Sequence, residues 1–145
     1  MTKINQIQQA IEELDGGKFQ KLADSYLNAI GLRTINSIGS VVGTDKVRAG
    51  TPDTLIETEK GKYMFAEHTT QRSDLVNKIK EDISKCLDEN KTGVSIYKIE
   101  RIVFCFTGKL NAEEQNELAE TCEREGVNLD LFGIDTLTYD LYNYY

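Results

Sequence analysis

A nearly unbroken apolar run, Ile99 to Thr107, constrains the fold of this chain more than any other segment. Its centre reads Ile102-Val103-Phe104-Cys105-Phe106, so it lacks the polar alternation of a strand that has one face in water. A run of this kind is typical of a strand that is buried on both faces, with helices packed on each side of its sheet. The run therefore predicts an α/β protein with a covered central sheet.

The periodicity of the other segments predicts the element order α-β-β-β-α-β-α-β-α. Apolar residues at helical spacing cover residues 3–14 and, after an Asp15-Gly16-Gly17 turn, residues 19–30, followed by Gly31 as a C-terminal cap. Strands are expected at 33–42, 53–58, 63–70, 99–107 and 127–132. Three further helices are expected: one with Ser73 as its N-cap, one that opens with a capping box of Asn111 and Glu114, and one that begins at Asp135.

The length of 145 residues is that of one domain. We expect a single domain over residues 1–145, with a core at about 17–132 and a C-terminal helix at 133–145. The helix ends on several tyrosines, which are consistent with a helix packed on the core, with a docking surface, or with the truncated edge of a longer polypeptide.

The net charge of −7 and the pI near 4.8 exclude a histone-like or polybasic membrane-binding protein. Residues 1–101 carry 15 basic and 15 acidic side chains, so the whole excess of acid lies in the last 44 residues. We therefore expect the isolated chain to bind DNA weakly and in a salt-sensitive way. No apolar run approaches the ~20 residues that cross a bilayer, and no signal peptide is evident, so we expect a cytoplasmic protein.

The cysteines and the histidine give little sign of metal or redox chemistry. Cys86, Cys105 and Cys122 form no C-x-x-C pair. We expect Cys86 and Cys105 to be buried, whereas Cys122 could be partly exposed. His68 is the single histidine, so it cannot build a histidine metal site alone.

Two carboxylates on neighbouring predicted strands form the candidate site. Asp53 opens one strand, and Glu67 lies within the next, where alternation places Glu67, Thr69 and Gln71 on one face and His68 on the other. If the strands pair as a hairpin, Asp53 and Glu67 converge and could hold Mg²⁺. Alternatively, Asp53 only shapes the turn after its proline, and Glu67 pairs with a lysine or accepts backbone hydrogen bonds.

Together with the element order, three motifs resemble the PD-(D/E)xK nuclease superfamily, and within it the Mrr-like restriction endonuclease branch. They are Gly17-Lys18-Phe19-Gln20 opening a helix, the Pro52-Asp53 pair, and the Glu67-His68-Thr69 triplet after a hairpin. The resemblance covers residues 17–132 and implies a restriction-endonuclease-like fold with a mixed central sheet flanked by helices. The stretch also resembles the N-terminal effector domains of bacterial antiphage NTPases.

The resemblance implies hydrolysis of DNA phosphodiester bonds with Mg²⁺ or Mn²⁺ as the cofactor. Asp53 and Glu67 match the family's metal ligands, and the backbone carbonyl of His68 matches a third ligand. The ring of His68 is expected to point away from the metal and to pack. Implied partners are DNA as substrate, a larger NTPase or sensor, and a second copy in a homo-oligomer.

The chain departs from the family at two positions. Thr69 stands where the family has its lysine, and Gln20 stands where Mrr-like enzymes often carry a glutamate. Candidate replacements for the lysine are Lys78, which we prefer, Lys62 and Lys46, with Gln71 nearby. Candidates for the helix acid are Glu12, Glu13 and Asp24. The alternative for each of these lysines and acids is a solvated surface residue.

Two functional hypotheses follow. The first is a Mg²⁺-dependent endonuclease domain, an effector in antiphage defence or restriction, whose site residues are Asp53, Glu67, Thr69, Gln71, Lys78 and Gln20. The second is a catalytically degenerate nuclease-fold module that binds nucleic acid or protein. A small-molecule α/β enzyme is disfavoured, since the sequence has no glycine-rich phosphate loop or nucleophile elbow.

Overall fold

The computed structural model describes residues 2–32, 36–37, 54–59 and 61–144. Its strands are β1 (Asn36–Ser37), β2 (Thr54–Glu59), β3 (Lys62–Thr69), β4 (Ile99–Phe106) and β5 (Asn128–Phe132). Its helices are α1 (Lys3–Glu12), α2 (Gly16–Ala29), α3 (Leu75–Cys86), α4 (Glu89–Thr92), α5 (Ala112–Glu123) and α6 (Ile134–Tyr144), and a 3₁₀ turn spans Ile96–Lys98.

The five strands form one sheet in the order β1-β2-β3-β4-β5. β1 pairs antiparallel with β2, and β2 pairs antiparallel with β3, whereas β3, β4 and β5 run parallel to one another. The protein is therefore mixed α/β, with three parallel strands flanked by helices. Of the strand expected over 33–42, the structure describes only Asn36–Ser37, and the remainder lies outside the described residues.

Each face of the sheet is covered by its own hydrophobic cluster, as the apolar run predicted. On the first face, which we call the α2 face, Val103 and Cys105 of β4 pack with residues of α1, α2 and α6. On the second, the α3 face, Ile102 and Phe104 pack with residues of α3 and α5. All four of these β4 side chains have 0% exposure, so alternate residues of one strand fill both cores.

Several helix ends differ from the prediction by local chemistry. α2 begins at Gly16, because the Asp15 side chain accepts a hydrogen bond from the Lys18 amide, so the two glycines form the first turn of the helix. The N-cap of α3 is Asp74 in the left-handed region at φ 54°, so the prediction of Ser73 was wrong. Aspartate tolerates this conformation better than most residues. The capping box of Asn111 and Glu114 is confirmed.

None of the helices in the described part of the chain has the length and apolarity needed to cross a membrane. Cys122 has 0% exposure, so it is fully buried, and the alternative of partial exposure does not hold. It lies on the inner side of α5, where it packs in the cluster of the α3 face.

Candidate functional site

Glu67 is a buried carboxylate near the carboxyl end of β3. Its exposure is 7%, and alternation along β3 places it on the same face as Phe65, which belongs to the cluster of the α3 face. The Cys86 thiol, at the end of α3, donates to Glu67 Oε1 over 3.5 Å. The Glu67 carboxylate thus lies beneath α3, and one of its oxygens already accepts from a buried thiol.

The Cys86 thiol remains protonated at neutral pH. Burial raises its pKa well above the ordinary value, and the negative charge and hydrogen bond of Glu67 raise it further. The Asp82 carboxylate contributes in the same direction. A protonated thiol is a donor and a poor metal ligand, so Cys86 serves Glu67 as a hydrogen-bond partner.

Thr69 shares the face of Glu67, whereas Gln71 does not belong to the strand. Thr69 is 7% exposed, and its hydroxyl accepts from the Gln71 backbone amide over 3.1 Å. β3 ends at Thr69, so the strand alternation that placed Gln71 beside Glu67 was wrong at this residue. Gln71 is exposed, and its side-chain amide donates to the Ser73 carbonyl over 2.9 Å.

Lys78 lies on α3, the helix that covers Glu67. Its ammonium nitrogen is 3.1 Å from one carboxylate oxygen of Asp82 and 3.2 Å from the other. The Asp82 side chain is only 8% exposed and that of Lys78 33%. Asp82 was missed in the sequence, although an acid between Ile79, Ile83 and Cys86 on the apolar face of a helix is the signal that could have found it.

The other candidates on helices lie against the opposite face of the sheet. Gln20 follows Phe19, which packs in the cluster of the α2 face, and Glu12, Glu13 and Asp24 belong to or adjoin α1 and α2. Burial, and then the nearby Asp24 carboxylate, raise the pKa of Cys105 to about 12, which places Asp24 near the α2 face. Gln20 and Asp24 thus belong to the helix that packs on the α2 face, on the other side of the sheet from α3, and Glu12 and Glu13 belong to or adjoin α1, which packs on the α2 face as well.

His68 also faces α2, as the alternation predicted. Its ring packs edge-on against Phe19, with ring centroids 6.3 Å apart and an interplanar angle of 76°. The prediction that the ring packs and points away from the Glu67 side is confirmed.

Asp53 and Lys46 lie outside the described residues, but the described hairpin ends next to Asp53 in sequence. Thr54, which follows Asp53 in the chain, pairs with Ala66, which precedes Glu67. Lys62 is exposed and opens β3 opposite Glu59, at the turn end of the hairpin. It stands five residues before Glu67 in the strand, too far along β3 for an adjacent position.

The donors on the α3 face suit a hard cation only in part. In the segments that the structure describes, no three His, Cys, Asp or Glu side chains gather as a set that could hold a metal ion. Glu67 and Asp82 offer carboxylate oxygens, the ligands that Mg²⁺ prefers, but Asp82 is held by Lys78. Of the two carboxylates predicted to bind the metal ion, the structure describes only Glu67. The predicted set of metal ligands is complete only with Asp53, which lies outside the described residues.

No protein-family model matches the chain, and no curated protein matches it.

Proposed function

We propose that this chain is a Mg²⁺- or Mn²⁺-dependent nuclease domain that hydrolyses phosphodiester bonds of DNA. The observation that carries the proposal is the buried Glu67 carboxylate on β3. The residue before Glu67, Ala66, pairs with Thr54 of β2, and Thr54 directly follows Asp53 in the chain. Burying a carboxylate among apolar side chains costs free energy that an apolar residue at the same position would not cost. In this proposal Asp53 and Glu67 hold the metal ion, and the His68 carbonyl is a further ligand.

Lys78 takes the place of the family's lysine in this proposal. Thr69 occupies the motif position and carries no charge, whereas Lys78 brings an ammonium on the helix that covers Glu67. The metal ion would activate a water and neutralise charge on the phosphate when bound. The lysine would add a positive charge near the same phosphate.

The charge distribution supports DNA as the substrate. The whole net negative charge lies in the last 44 residues, which include α5 and α6, while the segment that carries Glu67 and Lys78 is balanced. We propose a cytoplasmic effector in antiphage defence or restriction, associated with a larger NTPase or sensor that concentrates it on DNA. Such help, or assembly of several copies, would compensate for weak intrinsic affinity.

Plasmid cleavage tests the proposed function. We expect nicking of supercoiled DNA with Mg²⁺ or Mn²⁺ that EDTA abolishes and that falls at least roughly 100-fold in Asp53→Asn and Glu67→Gln. Asp130→Asn is the matched control. Asp130 is a half-buried carboxylate on β5, and it pairs with Arg101 on β4. Cleavage that survives in both site variants would refute the assignment of these residues.

A second candidate function is a degenerate nuclease-fold module that binds a partner without cleaving DNA. Two observations favour it: Thr69 stands at the motif lysine, and the Glu67 carboxylate is engaged by the Cys86 thiol. Exposed aromatic rings on α6, Tyr139 at 58% and Tyr142 at 50%, offer a surface for such a partner. Calorimetry with Mn²⁺ separates the two functions, since tight binding that is lost in Glu67→Gln contradicts the degenerate module.

A further inference from the structure

Three side chains that can form hydrogen bonds stand in one row along α3, at intervals of four residues. Lys78, Asp82 and Cys86 follow one another at i, i+4 and i+8, so successive members lie on the same side of the helix. Lys78 bonds Asp82, and Cys86 donates to Glu67 across the gap between helix and sheet. The row therefore runs from a partly exposed ammonium to the buried carboxylate of β3.

The middle member of this row is the one that the hydrophobic core does not explain. Asp82 is 6% exposed, and its helix neighbours Ile79 and Ile83 have 0% exposure. An apolar side chain at position 82 would fit this environment without the desolvation cost of a carboxylate. The ion pair with Lys78 offsets part of this desolvation cost. However, a partly exposed ion pair stabilises a fold only weakly.

A neighbouring ion pair on the same helix shows the contrast. Lys80 pairs with Glu117 of α5, and both side chains are well exposed, at 38% and 51%. That pair lies at the surface, where charged side chains stay hydrated and their presence carries no desolvation cost to explain. The Asp82 carboxylate instead lies close enough to the Cys86 thiol for its charge to act on it, as does that of Glu67. Asp82 thus lies on the inner side of α3, near the group that contacts Glu67.

We propose that Asp82 is a positioning residue that holds the Lys78 ammonium on the Glu67 side of the helix, where it contacts a backbone phosphate of a bound nucleic acid. A lysine with four rotatable bonds spreads over many rotamers in water. Two carboxylate contacts restrict it to a few of these and keep its charge at the site. This inference rests on the proposed function for its substrate, but not for the pairing itself.

A double-mutant cycle with two readouts tests the proposal. The variants are Lys78→Met, Asp82→Asn, and both together, with Lys80→Met and Glu117→Gln as the matched surface pair. The first readout is NMR of the lysine ammonium groups, in which Lys78 should be ordered in the wild type and mobile in Asp82→Asn. The second is the affinity for a short DNA duplex in Ca²⁺, together with the rate of plasmid cleavage in Mg²⁺.

We expect Lys78→Met and Asp82→Asn each to weaken binding or slow cleavage by roughly tenfold or more, and the double variant to lose no more than Lys78→Met alone. Far-ultraviolet circular dichroism checks that each variant is folded. A full additional loss from Asp82→Asn in the Lys78→Met background overturns the proposal, since Asp82 then acts on the fold rather than through Lys78.

The two readouts separate failure of this inference from failure of the proposed function. A wild-type protein that neither binds nor cleaves DNA with any divalent cation refutes the nuclease and the phosphate contact. A Lys78 ammonium that is equally ordered in Asp82→Asn overturns the positioning role, whatever the activity. Equal effects of the surface pair and the Lys78–Asp82 pair on binding would also overturn it.

Discussion

The junction between β5 and α6 leaves no room for a side chain at Gly133. A Cβ built on Gly133 would stand 2.8 Å from Cε2 and 3.1 Å from Cζ of the Phe106 ring. Gly133 is not one of the described glycines with positive φ, so its backbone conformation is open to alanine. A loss of stability in Gly133→Ala therefore reports packing rather than backbone strain.

The size of this effect follows from the contact and from its surroundings. Carbon atoms in van der Waals contact are ~3.5–4.0 Å apart, so a separation of 2.8 Å requires either the ring or the backbone to move. Phe106 is 3% exposed within the cluster of the α3 face, and a planar ring there cannot turn away freely. Overpacking of a core costs ~1–3 kcal/mol, and we expect Gly133→Ala to lower the free energy of unfolding by about 2 kcal/mol.

Urea denaturation followed by circular dichroism measures this change, and the thermal midpoint should fall by roughly 6 °C. Gly16→Ala is the matched control, because Gly16 opens α2 and a Cβ there meets nothing within 4 Å. That substitution should raise the free energy of unfolding by about 0.5 kcal/mol, since alanine has the higher helix propensity. If Gly133→Ala is as stable as the wild type, the packing argument is refuted.

Three further predictions concern a cap, a turn and the thiols. Asn111→Ala removes the capping box of α5 and should lower the free energy of unfolding by about 1 kcal/mol in urea. Gly61→Ala should cost a similar ~1 kcal/mol, because φ is +81° in the turn between β2 and β3; an unchanged midpoint would contradict this. Burial raises the pKa of Cys105 to about 12 and that of Cys122 to about 11, so iodoacetamide should label the native thiols slowly even at pH 9. Since these pKa values are higher folded than unfolded, the free energy of unfolding should fall as pH rises from about 9 toward 12, and rapid labelling at pH 8 would refute the burial.

Local sequence patterns were sufficient where a structure depends on neighbouring residues. The apolar run around Phe104, the Asn111 capping box and the hairpin before Glu67 are all present, because periodicity and capping act within a few residues. The strand predicted over 63–70 ends one residue earlier, at Thr69, and the alternation had been carried past it to Gln71, which lies outside the strand. Strand ends depend on hydrogen bonds to neighbouring strands, which no local pattern contains.

The sequence by itself determined that Glu67 and His68 point to opposite sides of a strand, since alternation is a property of the extended backbone. It also determined that the sheet is covered on both faces. Only the tertiary structure decided that α3 covers Glu67 while α2 covers His68, and that Cys86, Asp82 and Lys78 therefore belong to the side of Glu67 whereas Gln20 does not. The physical reason is that periodicity gives each element a buried side, but the crossings between elements decide which buried sides meet.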